Sequence, residues 1–85
     1  MIIRYKPSFV RDFKRLPSAV QEEAFDKIEL FKDTNNHEKL KVHKLKGRLR
    51  DFYSFSVTYS HRIVFGYEAK NEVVCIAIGD HDIYK

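Results

Sequence analysis

The last third of the chain carries an arginine, a histidine and a tyrosine in strand-rich surroundings. Arg62 lies in Ser60-His61-Arg62-Ile63-Val64-Phe65. His81 and Tyr84 lie in Gly79-Asp80-His81-Asp82-Ile83-Tyr84-Lys85. A fixed cation, an imidazole that titrates near neutrality and a phenol suit chemistry at a phosphate. Cutting RNA without a metal needs a base for the 2′-hydroxyl proton, cations for the phosphorane, an acid for the departing 5′-oxygen and something to hold the flanking bases. The chain has a candidate for each. His43 is a base, and Arg62 binds phosphate through a bidentate fork. Lys46 adds a point charge, His81 is an acid, and Tyr84 stacks on a base or hydrogen-bonds the phosphate.

Each also has a plainer role. His43 and Lys46 suit a solvated surface, and Arg62 suits an ordinary ion pair with Asp51, Asp80 or Glu68. His81 suits the end of a strand, and Tyr84 suits packing of its ring. His37 and His61 read as structural or surface residues. Asp80, His81 and Asp82 are adjacent, but no His-x₃-His or cysteine pair supports a metal site. No P-loop, nucleotide-binding glycine pattern or nucleophile elbow is present. The chemistry therefore calls for no cofactor.

Charge points the same way. Residues 1–50 hold thirteen lysines and arginines against seven acids, whereas residues 51–85 hold three against five. Lys39, Lys41, Lys44, Lys46, Arg48 and Arg50 fall within twelve positions that contain no acid. Such a stripe concentrates a polyanion, so Lys39, Lys41, Lys44, Arg48 and Arg50 are candidate RNA contacts. A solvated basic loop explains the same composition.

The elements must bring these groups together. Ile2 to Lys6 reads as a strand. Pro7-Ser8 opens a helix with Ser8 as its N-cap, and Phe9, Phe13 and Leu16 follow at helical spacing. Pro17-Ser18 opens a second helix, where Ser18 and Gln21 have the form of a capping box. Val20, Ala24, Ile28 and Phe31 make its apolar stripe. This helix ends near Lys32-Asp33, before the turn-rich Thr34-Asn35-Asn36. Leu40, Val42 and Leu45 tether the basic segment, and Gly47 allows a sharp turn. Tyr53, Phe55 and Val57 alternate with polar residues, as do Ile63, Phe65 and Tyr67. Val73 to Ile78 is a continuously apolar strand, reached through a turn at Ala69-Lys70-Asn71. The order predicts an α+β domain spanning 1–85, with an N-terminal strand and a helical hairpin on one face of a twisted, mainly antiparallel sheet of about four strands. Ser54, Ser56 and Arg62 then share the other, open face, adding both serines to the RNA contacts.

The chain has 85 residues and a net charge of +4. A domain this small buries only about 60 % of its unfolded surface. Cys75, the single cysteine, reads as a core residue and fits a reducing cytosol. The apolar runs fall far short of the ~20 residues that span a membrane, so the expected location is cytoplasmic.

Across nearly its whole length the chain resembles the RelE/ParE superfamily of toxins from type II toxin–antitoxin pairs. The fragments are Tyr5-Lys6-Pro7-Ser8-Phe9, Phe13-Lys14-Arg15-Leu16-Pro17, His43-Lys44-Leu45-Lys46-Gly47, Tyr53-Ser54, His61-Arg62-Ile63-Val64-Phe65 and Gly79 to Tyr84. Tyr53 to Phe65 is most similar to the YoeB branch. His43 falls where YoeB-like toxins place a glutamate, and YafQ-like toxins a histidine, as the base. Lys46 and Arg62 match phosphate-binding positions, His81 the C-terminal catalytic histidine, and Tyr84 the terminal aromatic. Ser54 and Ser56 stand where RelE carries lysines, and the run from Gly79 to Tyr84 is one residue shorter than in many relatives. The resemblance implies a ribosome-dependent mRNA endoribonuclease whose partners are the ribosome, mRNA and a cognate antitoxin. It also spans ParE-like members, which inhibit DNA gyrase and lack the nuclease site, and it leaves room for a degenerate RNA- or antitoxin-binding domain.

Overall fold

The computed structural model describes residues 1–80. Strand β1 (Ile2–Tyr5) leads into helices α1 (Pro7–Lys14) and α2 (Ser18–Phe31). Strands β2 (His43–Lys44), β3 (Tyr53–Ser56), β4 (Arg62–Ala69) and β5 (Glu72–Gly79) follow. The sheet order is β1-β5-β4-β3-β2. β1 runs parallel to β5, and every other pairing is antiparallel. The fifth strand beyond the expected four is β2, two residues drawn from the basic segment.

The helix starts differ from the sequence expectation. Ser8 does not cap α1; Lys6 holds the N-cap position and no side chain caps it. The Ser8 hydroxyl instead donates to the carbonyl of Ile76, 2.8 Å away. Pairing of β4 with β5 shifts between Val64–Ala77 and Phe65–Cys75, leaving Ile76 as an extra residue. Such a bulge interrupts the ladder locally, and Ser8 bonds at that interruption. The bulge also explains the burial pattern of β5, where Val73, Cys75 and then Ile78 are buried. Strict alternation would have exposed Ile78.

Ser18 likewise forms no cap, since Pro17 occupies that position. Gln21 reaches back and donates to the carbonyls of Phe13 and Leu16 at 2.9 and 3.1 Å. It thus satisfies the open end of α1 and staples the two helices together. At the far end of α2, Asn36 donates to the Leu30 carbonyl and His37 Nε2–H to that of Phe31, both within 2.9 Å.

The core lies between the helices and the odd-numbered face of β3 and β4. Phe9, Ala24, Ile28, Phe31, Leu40, Phe55, Val57, Ile63, Phe65, Val73, Cys75 and Ile78 form one buried cluster. Phe31 is its centre: it stacks on Phe55 at 4.4 Å and on His37 at 4.6 Å, and meets Phe65 edge-on at 4.8 Å. His37 is therefore structural, one of the two roles its sequence position allows. Burial pushes the Cys75 thiol up to about 12, so it stays protonated and unreactive. Native protein at pH 8 should resist iodoacetamide, with one equivalent incorporated only after denaturation in urea. Rapid labelling of the native protein would contradict a buried, neutral thiol.

Candidate functional site

β2 and β3 pair His43 with Ser54, and β3 and β4 pair Ser54 with Val64 and Ser56 with Arg62. Directly opposed residues share a face. His43, Ser54, Ser56, Val64 and Arg62 therefore lie on the face opposite Phe55, Ile63 and Phe65. From strand spacing and rise, the Cα atoms of His43 and Arg62 are about 12 Å apart. This face is not fully open. Ser54 is wholly buried, as is Val64 nearly so, and the Phe52 ring packs over Gly66. Ser54 thus offers no surface to RNA, contrary to the sequence expectation. Ser56 remains half-buried.

Arg62 is held in an arrangement that strand alternation does not reveal. Its Nη1 donates to the carbonyls of Thr58, Tyr59 and His61 at 2.9, 3.2 and 3.0 Å. No ion pair of Arg62 occurs among the described residues. The carbonyls orient the guanidinium without cancelling its charge. Thr58 braces the same loop. Its Oγ1 accepts from the amides of Ser60 and His61 and donates to His61 Nδ1 at 2.8 Å.

Arg62 lines a hollow of about 340 Å³ with Lys27, Lys39, Lys41, Ser56, Val57, Thr58 and Tyr59. Four cations surround it, and among the described residues no carboxylate contributes to its lining. Leu40 creates the arrangement: it is buried in the core while its carbonyl accepts from the Ser56 amide at 2.9 Å. The lysines on either side are thereby presented to the hollow. Lys41 adopts φ 59°, a left-handed conformation uncommon outside glycine. Its carbonyl lies 2.8 Å from His43 Nδ1. A carbonyl only accepts, so Nδ1 carries the hydrogen. In the neutral ring the lone pair then sits on Nε2, as a general base requires. His43 is exposed, two residues along from Lys41, and does not itself line the hollow.

The rest of the basic stripe disperses. Lys44 pairs with Tyr53, which puts it on the sheet face opposite His43. Lys46 is exposed just before the short 3-10 helix Gly47–Leu49, which holds Arg48, and Arg50 follows it. Gly47 takes φ 68° there, the sharp turn expected of it. None of Lys44, Lys46, Arg48 and Arg50 lines the hollow with Arg62. His81 and Tyr84 lie outside the described residues.

Sequence reasoning passed over two lining residues. Lys27 comes from α2, three positions after Ala24 and four before Phe31, so helical spacing places it beside the buried stripe. Its Nζ meets Glu23 at 2.8 Å. Tyr59 carries no sequence signal beyond its place in a turn.

No protein-family model matches the sequence, and no curated protein matches it significantly. Solved structures do. YafQ from E. coli superposes with a TM-score of 0.76 at 15 % identity, covering 96 % of this chain and 94 % of its own. The YoeB–YefM complex from Staphylococcus aureus gives 0.74 at 20 % identity, covering 95 % and 97 %. A YoeB/ParE toxin from Agrobacterium tumefaciens gives 0.68 at 21 % identity, covering 95 % and 99 %. The chain has the RelE/ParE toxin fold. The α+β architecture expected from the sequence is the one these structures share. No helix among the described residues of this toxin fold is long and apolar enough to cross a membrane.

Proposed function

We propose that the chain is the toxin of a toxin–antitoxin pair and a ribosome-dependent endoribonuclease. The observation that carries this reading is Arg62, oriented by three neutral carbonyls inside a hollow lined by Lys27, Lys39 and Lys41. His43 shares the sheet face of Arg62, and its Nδ1 bond to the Lys41 carbonyl leaves the lone pair of the neutral ring on Nε2. In this mechanism His43 Nε2 takes the 2′-hydroxyl proton, and the 2′-oxygen attacks the adjacent phosphorus. Arg62 and the lysines stabilise the charge that grows on the phosphorane oxygens. The bond from phosphorus to the 5′-oxygen breaks, and that oxygen takes a proton from His81. Tyr84 holds a flanking base or the phosphate. Lys46 contributes charge along the approaching strand, with Lys44, Arg48 and Arg50. No cofactor takes part.

The partners are mRNA on the ribosome and a cognate antitoxin with an acidic or amphipathic segment that covers the basic surface. The S. aureus YoeB and a RelE-type toxin from Mycobacterium tuberculosis were each solved with an antitoxin, which supports that partner. The cytoplasm is where such partners meet.

Inducing the protein in growing bacteria and following polysome-bound mRNA beside plasmid supercoiling tests this reading. Fragmented mRNA with normal supercoiling is expected. Intact mRNA with lost supercoiling would transfer the reading to gyrase inhibition. Arg62→Ala should slow cleavage by about 10²–10³-fold, the usual effect of losing a preorganised group for transition-state charge. It should also destabilise the fold by about 1–2 kcal/mol, because the loop carbonyls lose a charged donor but regain water. Urea unfolding beside single-turnover cleavage separates the two effects.

A further inference from the structure

We propose that Tyr59 is a base-stacking platform and that Lys27, Lys39, Lys41 and Arg62 hold the phosphate of the nucleotide stacked on it. This single-stranded RNA subsite rests on the nuclease reading and extends it. Tyr59 is 98 % exposed at the edge of the basic hollow. An aromatic face beside a cationic groove is the arrangement that grips unpaired nucleotides, since every base has a face to stack and every nucleotide a phosphate. Paired bases have no free face, so the subsite selects single strands.

The loop that carries Tyr59 is ordered in advance. Arg62 Nη1 holds the carbonyl of Tyr59 itself and those of Thr58 and His61. Thr58 Oγ1 holds the amides of Ser60 and His61. A platform fixed this way loses little freedom on binding. Arg62 therefore has two tasks: it offers charge to the phosphate and fixes the loop that presents the ring. Among the described residues, Lys27 is the one lining cation paired with a carboxylate, that of Glu23. That pair is exposed at the helix surface, where such bridges contribute little. A phosphate can take its place at small cost. At about 340 Å³ the hollow falls within the range of small-ligand sites.

The test measures binding of a fluorescent, 2′-O-methylated RNA octamer, which the protein cannot cut, by anisotropy over a range of salt. Tyr59→Ala should weaken binding about ten-fold with an unchanged thermal midpoint, while Tyr59→Phe should bind like wild type. Lys27→Ala should reduce the salt dependence by about one phosphate contact. Wild-type affinity in Tyr59→Ala, or equal loss in Tyr59→Phe, overturns the platform. If that happens while Arg62→Ala still abolishes cleavage, the subsite falls and the nuclease reading stands. Absence of both binding and cleavage in wild type overturns both. Poly-glutamate that binds with the same dependence on Tyr59 also overturns the proposal, because the surface would then serve an acidic protein.

Discussion

His43→Asn should cut RNA about 10²–10⁴-fold more slowly than wild type, the range expected for loss of a general base. The asparagine amide nitrogen takes the place of Nδ1 and can still donate to the Lys41 carbonyl, but it offers no basic lone pair. The substitution therefore removes the proton acceptor and retains the local contact. His43 is exposed on the edge strand β2, and among the described residues its side chain makes one hydrogen bond, to Lys41. Stability should change by less than about 0.5 kcal/mol. Single-turnover cleavage, together with a thermal melt, reads both. A full rate would assign the base to another residue.

Phe31→Ala should have the largest effect on stability. The ring is wholly buried and contacts three others, Phe55, Phe65 and His37. Deleting a core phenylalanine costs about 3–5 kcal/mol. An 85-residue chain has a total of only about 4–13 kcal/mol. The variant should therefore lose at least about a quarter of that total, and at the low end of the range it is unfolded, as urea denaturation will report. The stack on His37 also sits beside the hydrogen bond that closes α2, so loss of the ring loosens that helix end. Phe31→Leu preserves most of the volume and should remain folded. A loss below about 1 kcal/mol in the alanine variant would mean that the core does not centre on this ring.

Periodicity made the fold legible. Alternation at Tyr53–Val57 and Ile63–Tyr67 assigns the face of Phe55, Val57, Ile63 and Phe65, all of them buried. Helical spacing did the same for Ala24, Ile28 and Phe31. Caps were less legible, because Ser8 and Gln21 bond to distant elements instead of their own helix starts. A local motif cannot anticipate a carbonyl sixty-eight residues away. The bulge at Ile76 was hidden for a related reason: a continuous apolar run shows no break in phase.

The candidate site was legible in part. Strand alternation placed Arg62 and Ser56 together, but it also exposed Ser54, which the fold buries. The basic stripe suggested one surface. A two-residue strand divides it, turning His43 and Lys44 to opposite faces. Lys27 and Tyr59 join the hollow through tertiary packing, and no spacing within the basic stripe indicates them.

The central claim is that Arg62 and His43 serve attack of a 2′-hydroxyl on its own phosphate. The most direct measurement is the chemistry of the ends produced when purified protein meets mRNA on programmed ribosomes, read by mass spectrometry. Wild type should give 5′-hydroxyl and 2′,3′-cyclic phosphate ends, and Arg62→Ala should give almost none. Intact mRNA with wild type, or fragments bearing 5′-phosphate and 3′-hydroxyl ends, would contradict it.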